Sequence, residues 1–362
     1  MKPPIRDRLR RLRRAFREKR VDAFLVTHPV DVGYLSGFTG DSSWLLVLGR
    51  SACLITDSRF SEQAERECPH LSRTVRRGPP AKALALRLRR SEIARLGFDP
   101  ESVTVALRRR LRGRLKGVRL VAMPGLVGRL RISKDASEQR VICLAVRVAE
   151  EAWATFRKRI RTGMTERRLA TELDHRMRLA GADSPAFPTI CAVDASSSMP
   201  HAKPGARRLR RGSVLLVDFG ARVGGYVSDL TRVLFAGRIP PRAREVYEVV
   251  RAAQAAAIAR IGPGAGFRDV DAAARNVIEE AGLGTAFGHG TGHGIGREVH
   301  EPPTLAPLSK KGTLEAGMVV TVEPGVYLKG RFGIRIEDDC LVTRTGRRVL
   351  SRLEKDLEAM VL

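Results

Sequence analysis

The pattern of apolar and polar positions changes character near residue 130. Before that point, the short apolar runs DAFLVT, WLLVLG and SACLIT are interleaved with helical stretches. This alternation predicts a small sheet covered by helices. Ile5, Leu9, Leu12 and Phe16 recur at helical spacing, which predicts an N-terminal helix with one apolar stripe. Residues 1–130 are therefore predicted to form an α/β domain.

The remaining chain, residues 135–362, has a different texture. Two long helices are predicted over 135–181, followed by strands around PTICAV, SVLLVDFG and GYVSDLTRVLF. A helix pair at about 241–260 and 267–281 comes next, and then strands near 318–328, 332–344 and 347–351. Each half of residues 135–362 has helical or glycine-rich stretches and then a strand pair that bears acidic residues. We expect a duplicated αβ unit with the site between its halves.

Composition excludes several classes of protein. The 362 residues are 43% hydrophobic, and no apolar run approaches the roughly 20 residues of a membrane span. The arginine-rich N-terminus lacks the apolar core of a secretory signal and carries Asp7 and Glu18, so we expect a surface helix and a cytoplasmic protein. Five cysteines, far apart and odd in number, favour neither a disulfide framework nor a thiolate metal site.

The net charge of +27 is concentrated toward the N-terminus. Residues 1–132 hold 30 Lys and Arg against 12 Asp and Glu. The cluster Arg108, Arg109, Arg110, Arg112 and Arg114 could meet phosphate groups, or it could be a solvated helix face. Because only 5% of the residues are aromatic and none interleave with these arginines, we expect no specific nucleic-acid partner.

Two aspartates, Asp218 and Asp229, lie eleven residues apart in apolar β runs joined by a turn at 222–225. Such a hairpin can place both carboxylates on one face, at facing positions of adjacent strands. Glu323, near the end of the apolar strand VVTVEPG, and Glu337, fourteen residues later, repeat the arrangement. A single acid here could be an exposed strand-end carboxylate, but four in apolar runs need a positive partner.

The segment GHGTGHGIGREVHEPP adds the histidines His289, His293 and His300. Its glycines allow close backbone approach, and the absence of a G-K-[ST] sequence argues against a phosphate loop. Four carboxylates and one imidazole suit a pair of Mn²⁺, Co²⁺, Fe²⁺ or Zn²⁺ ions. Two neighbouring metals form a template for amide hydrolysis.

The motifs VDFG, SDLTR, HGTGHGIG with EVHE, TVEPG and IRIEDD together resemble those of the pita-bread metallopeptidases. VDAFLVT, YLSGFTG and LITDSRF resemble the creatinase-type N-terminal domain of the aminopeptidase P and prolidase branch. The resemblance covers essentially the whole chain, and the extra N-terminal domain disfavours methionine aminopeptidase. It implies a creatinase-type α/β domain followed by an α+β pita-bread catalytic domain with pseudo-twofold duplicated halves.

The resemblance also implies roles for residues that match the family motifs. Asp218 would ligate one metal through two oxygens, Asp229 and Glu337 would bridge, and His293 and Glu323 would ligate the other metal, with Glu323 also handling protons. The remaining implied site residues lie around the substrate or orient the ligands: His201, His289, His300 and Arg335. The implied cofactor is a pair of divalent ions, with Mn²⁺ favoured, and relatives of this type are often homodimers.

Two departures from the family pattern bear on the substrate. Arg297 stands where this branch has an apolar residue, and Thr304 stands where prolidases carry an arginine that clamps a dipeptide carboxylate. Thr304 favours an Xaa-Pro aminopeptidase acting on longer peptides. The alternatives are a prolidase that cleaves Xaa-Pro dipeptides and, from a different class, an inactive binding module with a basic surface.

Overall fold

The computed structural model describes residues 3–89 and 91–362, so Met1, Lys2 and Arg90 lie outside the described residues. Packing divides the chain into two units, one ending at Arg131 and one spanning Ile132–Leu362. None of the helices in these ranges combines the length and the apolar character needed to cross a membrane.

The first unit is a six-stranded sheet with helices on both faces. Its helices are α1 Pro3–Glu18, α2 Pro29–Ser36, α3 Ser61–Glu67, α4 Pro80–Leu88, α5 Val105–Arg114 and α6 Leu126–Arg131. Its strands are β1 Ala23–Val26, β2 Trp44–Leu48, β3 Ala52–Asp57, β4 Ser72–Arg76, β5 Arg95–Phe98 and β6 Arg119–Ala122.

The sheet of the first unit has the order β4-β3-β2-β1-β5-β6. Strands β1, β2 and β3 are antiparallel neighbours, and the outer strands join in parallel. Side chains of β1 alternate between two cores, with Phe24 and Val26 on one face and Ala23 and Leu25 on the other. The apolar stripe predicted for α1 is confirmed, because its four residues are at most 6% exposed.

The second unit carries the candidate chemistry. Its helices are α7 Ala136–Arg157, α8 Glu166–Leu179, α9 Pro241–Arg260 and α10 Phe267–Glu280. Its strands are β7 Ser184–Pro185, β8 Ile190–Val193, β9 Val214–Phe219, β10 Ala221–Val223, β11 Tyr226–Val227, β12 Leu230–Phe235, β13 Gly292–Gly294, β14 Glu301–Leu305, β15 Val319–Val322, β16 Gly325–Leu328, β17 Phe332–Arg335, β18 Asp338–Val342 and β19 Arg347–Val349.

The second unit repeats one plan. In its first half the packed helices α7 and α8 precede the sheet β12-β9-β8, and in its second half the packed helices α9 and α10 precede the sheet β14-β13-β15-β18-β19. Asp135 precedes α7 and forms a capping box with Glu138. The carboxylate of Asp135 accepts the N–H groups of Ser137 and Glu138, and the carboxylate of Glu138 accepts the N–H of Asp135. An isolated bridge between Thr231 and Glu337 joins the two halves.

Two predicted strands differ from the structure in a way that concerns the site. The strand expected over 318–328 is divided at Glu323 and Pro324 into β15 and β16, and the one expected over 332–344 is divided at Ile336 and Glu337 into β17 and β18. The cause is a change of partner sheet, since β15 pairs with β18 whereas β16 pairs with β17. Both glutamates therefore lie where the backbone passes from one sheet to another.

Candidate metal centre

The register of β9 and β12 sets the positions of the two aspartates. Asp218 pairs directly with Thr231, and Asp229 precedes Thr231 by two residues. The two aspartates are therefore not facing partners as predicted, because the hairpin β10–β11 leaves the sheet between them. Side chains two residues apart point to the same face of a strand, so Asp229 still shares the face of Asp218.

The second strand pair places its acids in the same manner. Val322 pairs with Asp338 at the end of the β15–β18 ladder, and Glu323 and Glu337 lie one residue beyond it. The hydroxyl of Thr231 donates to Glu337 Oε2 at 2.6 Å, so the bridge between the halves also fixes a carboxylate. The two strand pairs thus direct their acids toward one another.

His293 approaches the acids from β13. A side chain at Gly292 would collide with Thr321 O, and one at Gly294 with Pro302 O, so the glycines permit neighbouring strands to close around the histidine. His293 Nδ1 lies 3.1 Å from Gly294 O, which leaves Nε2 directed at the acids. Nε2 is 3.2 Å from Glu323 Oε1 and 3.9 Å from Asp229 Oδ2.

Ligand-type atoms converge at one point among these residues. One atom each from Asp229, His293 and Glu337 lie within 4.8 Å of one another. Asp218 Oδ1 and Asp229 Oδ1 are buried and have no hydrogen-bond partner in the described chain. A buried carboxylate oxygen without a partner is costly, so these atoms favour a ligand that accepts their lone pairs.

The electrostatics of the cluster favour a cation. Burial raises the pKa of Asp218, Asp229 and Glu337, and neighbouring carboxylates raise the pKa of Asp229 and Glu337 further. For Glu323, burial acts in the same direction, but the hydrogen bond and charge of His293, with Arg335, lower its pKa to about 2. Three carboxyl groups thus resist ionisation in the protein alone, and divalent ions among them would relieve that resistance.

The donor set fits a pair of divalent metal ions. It contains the converging Asp229, His293 and Glu337, with Glu323 beside His293 and Asp218 in the lining of the same cavity, and no thiolate. Oxygen-rich sets with one histidine suit Mn²⁺ and similar ions. The partnerless oxygens and the raised pKa values of these carboxyl groups both follow from their burial, and a bound cation would satisfy both.

Arg335 links the acids to the substrate side of the site. Its Nη2 donates to Asp218 Oδ2 at 2.6 Å, and its Nε donates to Thr231 Oγ1 at 3.1 Å. Its Nη1 donates to the hydroxyl of Tyr327 at 2.7 Å, and that hydroxyl is 2.9 Å from His289 Nε2. One guanidinium therefore fixes a carboxylate, a threonine and a tyrosine–histidine pair.

All nine residues that the sequence pointed to line one cavity of about 1100 Å³ in the second unit. The rings of His300 and His293 lie 4.4 Å apart, and His201 enters from the segment before β9. The two residues that depart from the family pattern, Arg297 and Thr304, lie in different surroundings. Thr304 lines the cavity, whereas the guanidinium of Arg297 lies over the ring of Tyr226, 5.2 Å from its centroid.

Sequence reasoning missed several residues that position this cluster. Thr231 and Tyr327 make the contacts described above. Asp339 accepts the backbone N–H of Asp229 at 3.1 Å, and burial raises its pKa to about 8. Arg232 is fully buried and donates to the carbonyl oxygens of Thr231 and Glu337. Signals existed for two of them, because Thr231 lies in the SDLTR motif with Asp229, and Tyr327 lies four residues after Glu323 in the segment VVTVEPGVYL.

Comparisons with known proteins agree with this architecture. Residues 141–344 match Metallopeptidase family M24, and residues 8–133 match the Creatinase/Prolidase N-terminal domain. The Xaa-Pro dipeptidase of Pyrococcus horikoshii is 32% identical over 339 residues, which cover 93% of this chain and 94% of that protein.

Two solved structures are also similar over nearly the whole chain. The Xaa-Pro dipeptidase from Bacillus anthracis is 35% identical with a TM-score of 0.95, covering 99% of this chain and 100% of its own. The X-Pro aminopeptidase from Thermotoga maritima is 35% identical with a TM-score of 0.90, covering 96% and 100%. The fold class predicted from the sequence, a creatinase-type domain followed by a pita-bread domain, is confirmed.

Proposed function

The chain belongs to metallopeptidase family M24, and on that premise we propose that it is a prolidase, hydrolysing Xaa-Pro dipeptides with two divalent metal ions. The observation that carries the proposal is similarity along nearly the full length of two proteins named as Xaa-Pro dipeptidases. These relatives favour the dipeptidase alternative over the aminopeptidase that Thr304 favoured. Family membership implies divalent metal ions, and we propose Mn²⁺ as the ion used.

The residues that would hold the metal pair are four acids and one histidine that line one cavity of the second unit: Asp218, Asp229, His293, Glu323 and Glu337. When bound, the pair would supply an activated water and polarise the carbonyl of the scissile bond. Thr231 and Arg335 would keep the carboxylates in place through their hydrogen bonds to Glu337 and Asp218.

The chain's own groups would carry the proton and orient the substrate. Glu323, next to His293, would accept a proton at its carboxylate and return it to the leaving prolyl nitrogen. His300 lines the cavity and would hydrogen bond the reacting carbonyl, whereas both ring nitrogens of His289 already contact Gly290 O and the Tyr327 hydroxyl, so its ring would pack against the substrate. His201, which lines the cavity from the segment between β8 and β9, would also contact the substrate.

The proline preference follows from the amide at the scissile bond. A peptide nitrogen before proline has no N–H and its ring fixes φ, so an enzyme must recognise shape rather than a donor. The cavity offers apolar walls for such a ring, including Phe187, Ile190, Phe267 and Val299. Burial of a pyrrolidine ring against these walls would add favourable apolar contact.

The test is hydrolysis by the full chain after metal removal and reloading with Mn²⁺. We expect Ala-Pro to be cleaved faster than Ala-Pro-Ala, and Ala-Ala to be cleaved little. Asp229→Ala should remove nearly all activity and lower the metal content measured by mass spectrometry. Asp269→Ala, at a side chain that is 58% exposed, serves as the matched control and should leave both unchanged.

An Xaa-Pro aminopeptidase is the second candidate, favoured by the similarity to the Thermotoga maritima structure and by Thr304. Faster cleavage of Ala-Pro-Ala than of Ala-Pro would make it the better assignment. If metal-loaded protein cleaved neither peptide, both enzyme assignments would be wrong and the inactive binding module would take their place.

A further inference from the structure

We propose that Lys310 binds the free carboxylate of a dipeptide substrate and so sets the preference of this protein for dipeptides. This inference rests on the proposed function and assigns a specificity residue to it. The relevant chemistry lies next to the scissile bond. In Xaa-Pro the proline ends in a carboxylate, whereas in a longer peptide the same position is a neutral amide. A cation in the cavity can distinguish the two.

The cavity has three lysine or arginine side chains in its lining, Lys203, Lys310 and Arg335. Arg335 is engaged by Asp218, Thr231 and Tyr327, so it is not available to a substrate carboxylate. Within residues 3–89 and 91–362, the ammonium groups of Lys203 and Lys310 make no hydrogen bond or ion pair. These two lysines are therefore the cations that a ligand can reach.

Lys310 follows Ser309, whose hydroxyl and carbonyl groups are fixed by hydrogen bonds. The hydroxyl of Ser309 donates to Thr304 O at 2.8 Å and accepts the N–H of Ala306 at 2.9 Å. Arg268 Nε donates to Ser309 O at 2.8 Å, and Ser309 is only 4% exposed. On the other side of Lys310 the N–H of Phe267 donates to Gly312 O at 3.1 Å, so the backbone that carries Lys310 is anchored on both sides.

The anchor also lies close to the candidate metal ligands. Thr304 pairs with His293 across β13 and β14, so the two backbones are about 5 Å apart. Ser309 Oγ is 3.0 Å from Thr304 Oγ1, and Lys310 follows directly. Lys310 follows this anchor and lines the same cavity as His293, so its ammonium is suitably placed for the terminal carboxylate of a substrate as short as a dipeptide.

The experiment compares Ala-Pro with its uncharged amide Ala-Pro-NH₂, using the metal-loaded full chain. We expect Lys310→Ala to lower kcat/KM for Ala-Pro roughly tenfold to hundredfold, mainly through KM, since one charge-assisted hydrogen bond is lost. Hydrolysis of the amide should not change. Lys310→Arg should retain most of the preference. Lys311→Ala removes an adjacent exposed lysine outside the cavity lining and should alter neither substrate.

Three results would overturn the inference: an equal loss for both substrates, no loss in Lys310→Ala or Lys310→Gln, or a carboxylate-specific loss in Lys203→Ala alone. Thermal melting of each variant verifies that it is folded. If wild type cleaved no dipeptide, the proposed function and this inference would fail together. If wild type cleaved Ala-Pro and Lys310→Ala matched it, the inference alone would fail.

Discussion

Replacing Arg232 by methionine should destabilise the second unit strongly, because this guanidinium is fully buried and satisfies five acceptors behind the candidate metal ligands. One acceptor is Asp338 Oδ1 at 2.7 Å. The other acceptors are the carbonyl oxygens of Thr231, Glu337, Leu353 and Glu354, at 2.7 to 3.1 Å. Methionine preserves the apolar stem and removes every donor.

The magnitude follows from what remains after the change. Asp338 keeps Lys355 Nζ at 2.7 Å and Gln254 Nε2 at 3.0 Å, so its charge stays compensated. Four carbonyl oxygens lose a donor at roughly 1 kcal/mol each, giving about 4 kcal/mol, inside the range of about 3–5 kcal/mol for breaking a buried ion pair. For a unit of this size the melting temperature should fall by roughly 8–16 °C.

Circular dichroism of the full chain during heating measures this loss, in chelator so that metal binding adds no stability. The matched control is Arg242→Met, which breaks an exposed ion pair with Glu245 and should shift the melting temperature little. Arg232→Lys should recover only part of the loss, since one ammonium cannot reach five acceptors. A shift in Arg232→Met no larger than that in Arg242→Met would refute the reasoning.

Two further changes test other buried acids. Asp271→Ala should slow Ala-Pro hydrolysis about tenfold and lower the melting temperature, because Asp271 Oδ1 accepts both the N–H and the hydroxyl of Thr291, between His289 and His293. Unchanged kinetics would contradict this. Asp31→Asn should cost about 3 kcal/mol at pH 7 by breaking the buried pair with Arg131. Burial would raise the pKa of Asp31, but hydrogen bonds from His28 and Arg131 outweigh it, and the pKa is lowered in the folded protein. The ion pair therefore stabilises the fold fully above the unfolded pKa of about 3.9. This stabilisation is lost as the pH falls through the folded pKa of Asp31. The melting temperatures of this variant and wild type should therefore differ at pH 7 and converge as the pH falls through the folded pKa of Asp31, below about 3.9. Asp7→Asn, at an exposed acid, should match wild type at both ends of this range.

The acids of the site were predictable because their signals are local. Asp218 and Glu323 each lie at the end of an apolar run, and that context argues for a buried carboxylate whatever the remaining chain does. The division of the later strands at Glu323 and Glu337 was not predictable. Pro324 and Gly325 mark an interruption after Glu323, but apolar residues resume within three positions of each glutamate, and only the choice of partner strand reveals that one sheet ends and another begins there.

The supporting residues depend on long-range pairing and were missed for that reason. Thr231 contacts Glu337 across 106 positions of the chain, and no local period contains that contact. The position of Arg297 over Tyr226 likewise depends on tertiary packing. The substrate class was first argued from Thr304 alone. Lys203 and Lys310 lie in loops without a regular pattern, so no sequence signal shows that both line the cavity.

The bridge between Thr231 and Glu337 determines when peptidase activity can first arise during synthesis. A nascent chain that ends before β13 contains Asp218 and Asp229 but lacks His293, Glu323 and Glu337. Contacts this distant in sequence form slowly, because the intervening loop must close before any pairing stabilises it. A ribosome-bound fragment therefore has an incomplete ligand set, and hydrolysis begins only after the last strands of the second half have been released and paired.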